Sequence, residues 1–557
     1  MSKRATRKAG SHPIDPLIGP KLALSGRVVM MDDAFTVLPR GVLYIEQGAI
    51  VAVREAGEAP PDGFQTVPVV NSRGTIFPGL IELHNHLAYN ILRLWAVPRR
   101  FTNRDQWAGT PAYRALISGP MQILGKTPEL VPALVRYVEC KGLLGGVTTS
   151  QGIQLFSNAG LRRFYEGLVR NVEHTNDAAL PEALTRVADV EARNAAKFLV
   201  RLKKASCFLL HLSEGIDETA RKHFLALKVA DDEWAIGRSL AGIHCAALTV
   251  EDFGIFGERQ GAMIWSPLSN LLLYGQTARI KAAKEAGVRI GLGSDWSPSG
   301  SKNLLCELKV ARLVSEQEGG LFTDRDLVAM ATREAAAILR WDAALGSLEP
   351  EKRADLLVVT GTTGDPYEAL VTAKETAIRL VMVNGVARYG LPSLMRGLGA
   401  VGEEIRVGGL ARQLFLEQVT ADPMVGAVTL KAATQVLKEA LQRLPELARE
   451  REQPGAVPRA LARSLVRGMP RQEEWTLALD ELEDTGVDLR PRLPLAGERE
   501  LTGPTRVAVR AAEPLSKILI PLELDPLTIA DDKAFFLNLE DQPNLPAFVK
   551  IGLKALS

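Results

Sequence analysis

From Lys21 to Val70, short apolar runs alternate with polar positions, as in LALSGRVVMM, GVLYIEQGAIVAVRE and FQTVPVV. The period of two, the β-branched residues and the turn signals Gln47-Gly48 and Pro60-Pro61-Asp62-Gly63 predict antiparallel strands. The pattern changes between Gly74 and Gly346. Continuous apolar runs that end in polar residues (TIFPGLIELHNH, GVTTSQG, SCFLLHLSEG, LAGIHCAAL, GAMIWSPLSN, GVRIGLGSD) now alternate with helical stretches. Among the helical stretches are VPALVRYVECKGLLG, PEALTRVADVEARNAAKFLVRLKK, QTARIKAAKEAG and DRDLVAMATREAAAILRW. Such alternation predicts a parallel sheet covered by helices, and a stretch of about 270 residues closes most economically as a (β/α)8 TIM barrel.

After Gly346 the strand pattern returns in ADLLVVTG and AIRLVMVNG. Residues 347–391 are therefore expected to complete, with residues 21–73, a split small β-sandwich beside a barrel at 74–346. Residues 392–557 read as a C-terminal α+β extension. In it VTLKAATQVLKEALQRLPELARERE and PRALARSLVRGMPRQEEWTLALDELED are amphipathic and helical, and PTRVAVRAAEPLSKILIPLELD predicts a strand or two. LVRNVEHT reads as the third barrel strand, but no fourth precedes SCFLLH, so the barrel is expected to be distorted around strands three and four.

Length and composition narrow the class. The 557 residues allow three or four domains, and 46% hydrophobic with 24% charged residues describes a globular chain. Lysine plus arginine number 67 against 65 acidic residues, which gives no electrostatic case for a nucleic-acid partner. The arginines between Arg449 and Arg471 read as solvated helix faces. Cys140, Cys207, Cys245 and Cys306 form no CxxC pair, which suits a reducing compartment. The basic N-terminus lacks the apolar run of a signal peptide, and no apolar stretch is long enough for a bilayer. The expectation is a cytoplasmic protein with no membrane partner.

The candidate chemistry lies at strand ends. His84 and His86 follow TIFPGLIEL, and residues two apart on a strand share a face. His211 ends SCFLLH with Glu214 just beyond it, His244 ends LAGIH, and Asp295 ends GVRIGLGSD. Each alone reads as a structural residue more readily than as a ligand. Four strand ends carrying such residues imply a shared partner, most simply a cation, because buried unpaired histidine and aspartate are costly. Three nitrogens and one carboxylate suit one divalent metal ion, zinc ahead of iron. Cys245 follows His244 and should point away. Gln151 and Gln154 after GVTTS, His174 beside Glu173, and Tyr89, Asn90, Arg93 and Trp95 after HNHL are candidates for contact with substrate. For Trp95 and Trp107 loop packing is the commoner role. His223 on a helical stretch and His12 in the N-terminal tail read as inert.

In order, GTIFPGLIELHNHL, GVTTSQG, HLSEG, GIHC, SPLSNLLLYG and GSDWSPSGSKNLL resemble the amidohydrolase superfamily. They are most similar to its mononuclear branch of cytosine deaminases, S-adenosylhomocysteine deaminases and triazine hydrolases. The likeness spans about Lys21 to Arg388 and stops beyond Pro392. It implies His84, His86, His211 and Asp295 as metal ligands, with Asp295 also taking a proton from the attacking water. Glu214 would be the acid that protonates substrate, and His244 would orient the metal-bound hydroxide. Ser269 and Asn270 match the SN pair after strand seven, Asn270 being a further substrate-side candidate. The implied activity is hydrolysis at a carbon–nitrogen or similar bond of a small heteroaromatic or amidine-like molecule, foremost deamination. The alternatives are amide, imide or carbamate hydrolysis (imidazolonepropionase-like or dipeptidase-like) and a catalytically retired scaffold or regulatory protein. Barrels of this branch often form homo-oligomers, and the extension is expected to pack on the barrel, cover its mouth or mediate a protein contact. Two departures stand out: no lysine is placed for a binuclear centre, and Glu351 in LEPEKRADL replaces a common glycine.

Overall fold

The computed structural model describes residues 20–419, 421–453, 474–479, 489 and 513–556. A nine-stranded sheet brings the two ends of the family-like stretch together. Its order is Glu403–Val407, Leu410–Leu414, Val386–Gly390, Ile378–Val383, Leu356–Thr360, Val69–Pro78, Leu22–Val29, Val37–Glu46 and Ala49–Glu55. The sheet therefore continues past residue 391 and takes in a strand that crosses residues 73 and 74. Most neighbours are antiparallel, as the alternation predicts, but Leu22–Val29 runs parallel to Val69–Pro78. The turn at Gln47-Gly48 has both residues at positive φ, 52° and 74°, which matches the twist of a tight hairpin.

Eight further strands run parallel in two sheets. Leu80–Glu82, Val147–Ser150 and Arg170–Asn171 form one, and Ala183–Arg186, Cys207–Leu212, Leu240–His244, Ala262–Trp265 and Arg289–Leu292 form the other. Backbone hydrogen bonds join them at both meeting edges. Val172 N donates to Ser150 O (3.1 Å) and Ala183 N to Val172 O (2.8 Å), while Leu83 N donates to Leu292 O (3.4 Å). Helices such as Val131–Leu144, Glu218–Leu225 and Val250–Glu258 connect successive strands. Alternation divides each strand between two cores: Leu209, Ala241, Ile243 and Ile264 pack on one face, and Phe208, Leu210, Met263 and Trp265 on the other.

The stretch between Gly146 and His211 departs from expectation. A fourth strand does exist, Ala183–Arg186, inside a segment whose Ala, Glu and Arg content predicts helix; the helix begins only at Ala195. Four residues in register with Cys207–Leu210 outweigh that local preference. No helix connects strands two, three and four; a hairpin of Gln154–Ser157 and Arg162–Phe164 replaces the first. Arg170 is fully buried and pairs with Asp355 and Asn384, fastening the third strand to the nine-stranded sheet.

The described segments of the extension pack on helices that flank the parallel sheets, such as Val131–Leu144 and Leu304–Gln317. Helices Leu430–Gln442 and Leu444–Glu452 are separate because Pro445 interrupts the predicted single run, and the first packs on Val131–Leu144. Trp475–Leu477 lies in a segment predicted helical but is a strand, paired antiparallel to Leu155–Ser157. All of PRALARSLVRGMPRQ lies outside the described residues. In PLSKILIPLELD only a short helix, Leu515–Ile518, precedes an unpaired stretch, since Pro521 and Pro526 disfavour ladder pairing. No helix among the described residues is long and apolar enough to cross a membrane.

Candidate functional site

The parallel strands deliver His84, His86, His211, His244, Glu214 and Asp295 to one place. His211 continues the inward face of Cys207 and Leu209. His244 follows the inward Ile243 and would face outward, but its φ of 68° breaks the alternation and turns it to the same centre. Asp295 is likewise left-handed at φ 64°. Such conformations are uncommon for residues other than glycine and cluster at functional sites. Asp295 N donates to His84 O (2.9 Å) and accepts at its own O from His86 N (2.7 Å), zipping the tips of strands one and eight.

The side chains are packed tightly around a common point. The His84 ring lies 5.1 Å from His86, 4.7 Å from His211 and 5.2 Å from His244. Asp295 Oδ1 is 3.2 Å from His84 Nε2 and 3.7 Å from His86 Nε2. Donor atoms of His84, His86 and His211 lie within 4.8 Å of one another, as do those of His84, His244 and Asp295, and of His211, Glu214 and His244.

Neighbours fix the orientation and charge of each group. His84 Nδ1 and Asn85 N are both 3.0 Å from Gln151 Oε1, so Nδ1 carries the proton and Nε2 presents its lone pair to the cluster. Asn270 Nδ2 is 3.1 Å from His244 Nδ1, which leaves the proton on Nε2, 3.8 Å from Glu214 Oε2. Ser269 Oγ donates to Asp295 Oδ2 at 2.6 Å. Burial alone would raise the Asp295 pKa, but His84, His244 and His86 hold its carboxyl well below the usual range. Burial, reinforced by neighbouring histidines, pushes His211 down, and burial pushes His244 down to about 3 against the pull of Asp295. His211 and His244 are thus favoured as neutral imidazoles and Asp295 as a carboxylate, the forms that ligate a cation. His211 Nδ1 is buried and makes no hydrogen bond. That donor set fits a divalent metal.

Glu214 occupies the opposite electrostatic regime. Burial raises its pKa despite Arg104, whose Nη1 is 3.7 Å away. Tyr274 Oη donates to Glu214 Oε1 at 2.9 Å, and Trp107 Nε1 donates to Tyr274 Oη at 2.9 Å. A buried carboxyl whose pKa is raised in this way is better suited to general-acid work than an exposed one.

The other candidates separate. Gln151 and Gln154 line a pocket beside His86 and His211, with Glu173, Phe164 and Ala478 of the extension. His174 turns away to Glu166 (2.9 Å) and Glu182 (3.1 Å) and does not join the cluster. Trp95 is buried against Tyr113, its backbone held by Pro298 and Gln542, so it packs the loop instead of facing the pocket. Trp107 reaches Glu214 only through Tyr274. His223 pairs with Asp189 at 3.0 Å, and His12 lies outside the described residues. Cys245 points away toward Gly242 O. Sequence reasoning missed Arg104 and Tyr274. Tyr274 was legible, since it lies four residues after Asn270 on a helix and shares its face; nothing marked Arg104.

The parallel sheets and the histidine–aspartate centre define a metal-site hydrolase. The amidohydrolase family profile matches residues 75–388, more than half of the chain. The chain belongs to that family, its deaminase relatives act on carbon–nitrogen bonds, and the likeness read from its motifs is borne out. A 5-methylthioadenosine/S-adenosylhomocysteine deaminase of Symbiobacterium thermophilum is 26% identical over 378 residues, 60% of this chain and 84% of that protein. A 5'-deoxyadenosine deaminase of Methanosarcina barkeri is 24% identical over 405 residues, 64% of this chain and 90% of that protein. The fold resembles zinc-complexed atrazine chlorohydrolase of Arthrobacter aurescens TC1 (TM-score 0.53, 18% identity, 75% of this chain and 100% of that one). It also resembles E. coli guanine deaminase (TM-score 0.51, 18% identity, 66% and 99%).

Proposed function

We propose that this protein is a mononuclear metal-dependent deaminase acting on the amino-bearing ring carbon of a small heteroaromatic substrate, with adenosine-type nucleosides first in line. The observation that carries the reading is the meeting of His84, His86 and His211 with Asp295, held ionised, beside Glu214, whose pKa burial raises. The names of the sequence relatives supply the substrate class. In this reading the two parallel sheets are one (β/α)8 barrel, closed at the hydrogen bond from Leu83 N to Leu292 O. Residues 21–78 and 347–414 are its composite β-domain, and the described segments beyond 414 pack around it. Four buried free cysteines support a reducing, cytoplasmic setting.

His84, His86, His211 and Asp295 would hold the metal, zinc ahead of iron, at one ion per chain. A divalent ion there supplies hydroxide at neutral pH, by lowering the pKa of water from ~15.7 toward ~7. The chain's own groups handle the protons. Asp295, held ionised, accepts the proton released on attack, and Ser269 fixes the carboxylate that receives it. Glu214 gives its proton to the substrate nitrogen, and Tyr274 Oη hydrogen-bonds the carboxylate left behind. His244 presents Nε2–H beside Glu214, where charge develops on the attacked carbon's oxygen. The net reaction exchanges the amino group for oxygen and releases ammonia.

Elemental analysis of the purified protein tests the first half, and ammonia release from 5'-deoxyadenosine and 5'-methylthioadenosine tests the second. The expected result is near one equivalent of zinc or iron, lost in His84→Ala, and ammonia release lost in Glu214→Gln with the metal retained. No metal after reconstitution would overturn the reading, and ammonia release unchanged in Glu214→Gln would remove Glu214 from its role.

A further inference from the structure

Among the contacts of the C-terminal extension with the ligand-bearing loops, one buried aspartate reaches deepest toward the centre. Every polar atom of Asp525 is engaged. Its N donates to Ile91 O at 2.9 Å and its O accepts from Tyr137 Oη at 2.6 Å. Oδ2 accepts from Lys141 Nζ, and Oδ1 accepts from Lys302 Nζ at 2.6 Å. Lys141 directs its other two N–H bonds to Asn90 O (2.8 Å) and Ser297 Oγ (2.7 Å), so all three of its donors are used.

Those two acceptors stand next to the metal-ligand candidates. Asn90 follows His86 on the first loop, and Ser297 follows Asp295 on the last. They also bond each other, Ser297 N donating to Asn90 Oδ1 at 2.8 Å. Asn90 Nδ2 in turn donates to Oδ1 of Asn85, the residue between the two histidines, at 2.8 Å. Lys141 and Asp525 are each only 2% exposed. A lysine so deeply buried requires a counter-charge, and among the described residues Asp525 is the carboxylate in ion-pair contact with it. Lys302 differs, because it has a second carboxylate in Asp532 at 2.8 Å.

We propose that Asp525 is a positioning residue for the metal centre: through Lys141 it sets the spacing of the His86 and Asp295 loops, making the C-terminal extension part of the site. The proposal rests on the metal-centre reading above. Outer partners that orient ligands typically change metal affinity about 10–100-fold when removed. The competing account is that the same ion pairs merely fasten the extension, in which case Asp532 should matter in the same way as Asp525.

The experiment compares full-length wild type, Asp525→Asn, Asp532→Asn and Ser297→Ala. The readouts are zinc affinity by chelator competition, the d–d absorption of the cobalt(II)-substituted protein, and Tm. Asp525→Asn is expected to weaken zinc about 10–100-fold and to shift the cobalt spectrum at temperatures where it is fully folded. Asp532→Asn is expected to lower Tm and move neither metal readout. Ser297→Ala carries the test if Asp525→Asn fails to fold, and weakened zinc with an unchanged Tm would support the proposal. Folded Asp525→Asn with wild-type zinc affinity and spectrum would overturn it, as would equal losses in Asp525→Asn and Asp532→Asn, or an unaffected metal centre in Ser297→Ala. Wild type that takes up neither zinc nor cobalt would overturn the metal reading itself, a failure visible before any variant is made.

Discussion

Replacing Gln151 by leucine tests how the centre holds His84. Gln151 Oε1 is the acceptor for both His84 Nδ1 and Asn85 N at 3.0 Å, and both lie in buried surroundings. Leucine keeps the bulk and removes the acceptor. The buried Asn85 N–H is then unpaired, at a cost of about 1–3 kcal/mol. The His84 proton is no longer held on Nδ1, so the tautomer with a free Nε2 lone pair loses its preference. Loss of a partner that orients a ligand histidine corresponds to about 10–100-fold in metal affinity, or about 1.4–2.7 kcal/mol. Two controls isolate the effect. Gln151→Glu keeps an acceptor at the same place and should bind zinc at least as tightly as wild type. Gln154→Leu changes a residue that lines the same pocket without bonding His84, and should leave zinc affinity unchanged. Chelator competition monitored at equilibrium gives all three values. Zinc affinity in Gln151→Leu within twofold of wild type would show that packing alone orients His84 and would refute the argument.

Three further outcomes follow from particular contacts. Tyr274→Phe removes the hydrogen bond that lowers the Glu214 pKa, leaving burial less opposed. The acid must be protonated, so the rate falls as pH rises through its pKa, and this limb of the kcat profile should move to higher pH; an unmoved limb would dissociate Tyr274 from the proton donor. Trp475→Ala removes the ring beneath Arg163, whose guanidinium carbon is 4.4 Å from its centre, and loosens the strand that brings Ala478 to the pocket. Stacking of this kind is worth about 0.5–2 kcal/mol, so a several-fold rise in KM with kcat preserved is expected, and an unchanged KM would show that the strand does not shape substrate access. Glu351 has φ 71°, a conformation costing a residue with a side chain about 1 kcal/mol. Glu351→Gly should therefore leave Tm unchanged or slightly raised, and a marked fall in Tm would contradict that strain.

The sequence disclosed the centre better than its surroundings, for physical reasons. His84, His86, His211, His244 and Asp295 each follow a short apolar run, and strand ends can be read locally. The left-handed backbone at His244 and Asp295 cannot be read, since neither is glycine, yet it is what turns both into the cluster. The fourth parallel strand was hidden because its four residues, Ala183–Arg186, favour helix by composition and become strand only against Cys207–Leu210. The same competition hid Trp475–Leu477, whose partner lies more than three hundred residues earlier. His174 shows the reverse error. It follows a real strand, but Glu166 and Glu182 compete for its ring and draw it away from the pocket. The extension was opaque because its role is carried by long-range ion pairs: nothing around Asp525 in the sequence announces Lys141 or Lys302. Yet Ala478 lines the pocket and Asp525 underlies both ligand loops. Two separate segments of the extension thus converge on one site, which is hard to reconcile with an appendage serving only assembly. The retired-scaffold reading would further require a complete ligand set and a buried acid to persist without use. Burying so many ionisable groups together is costly to a fold, so their joint presence argues for an enzyme in which the described segments around Ala478 and Asp525 contribute to the site.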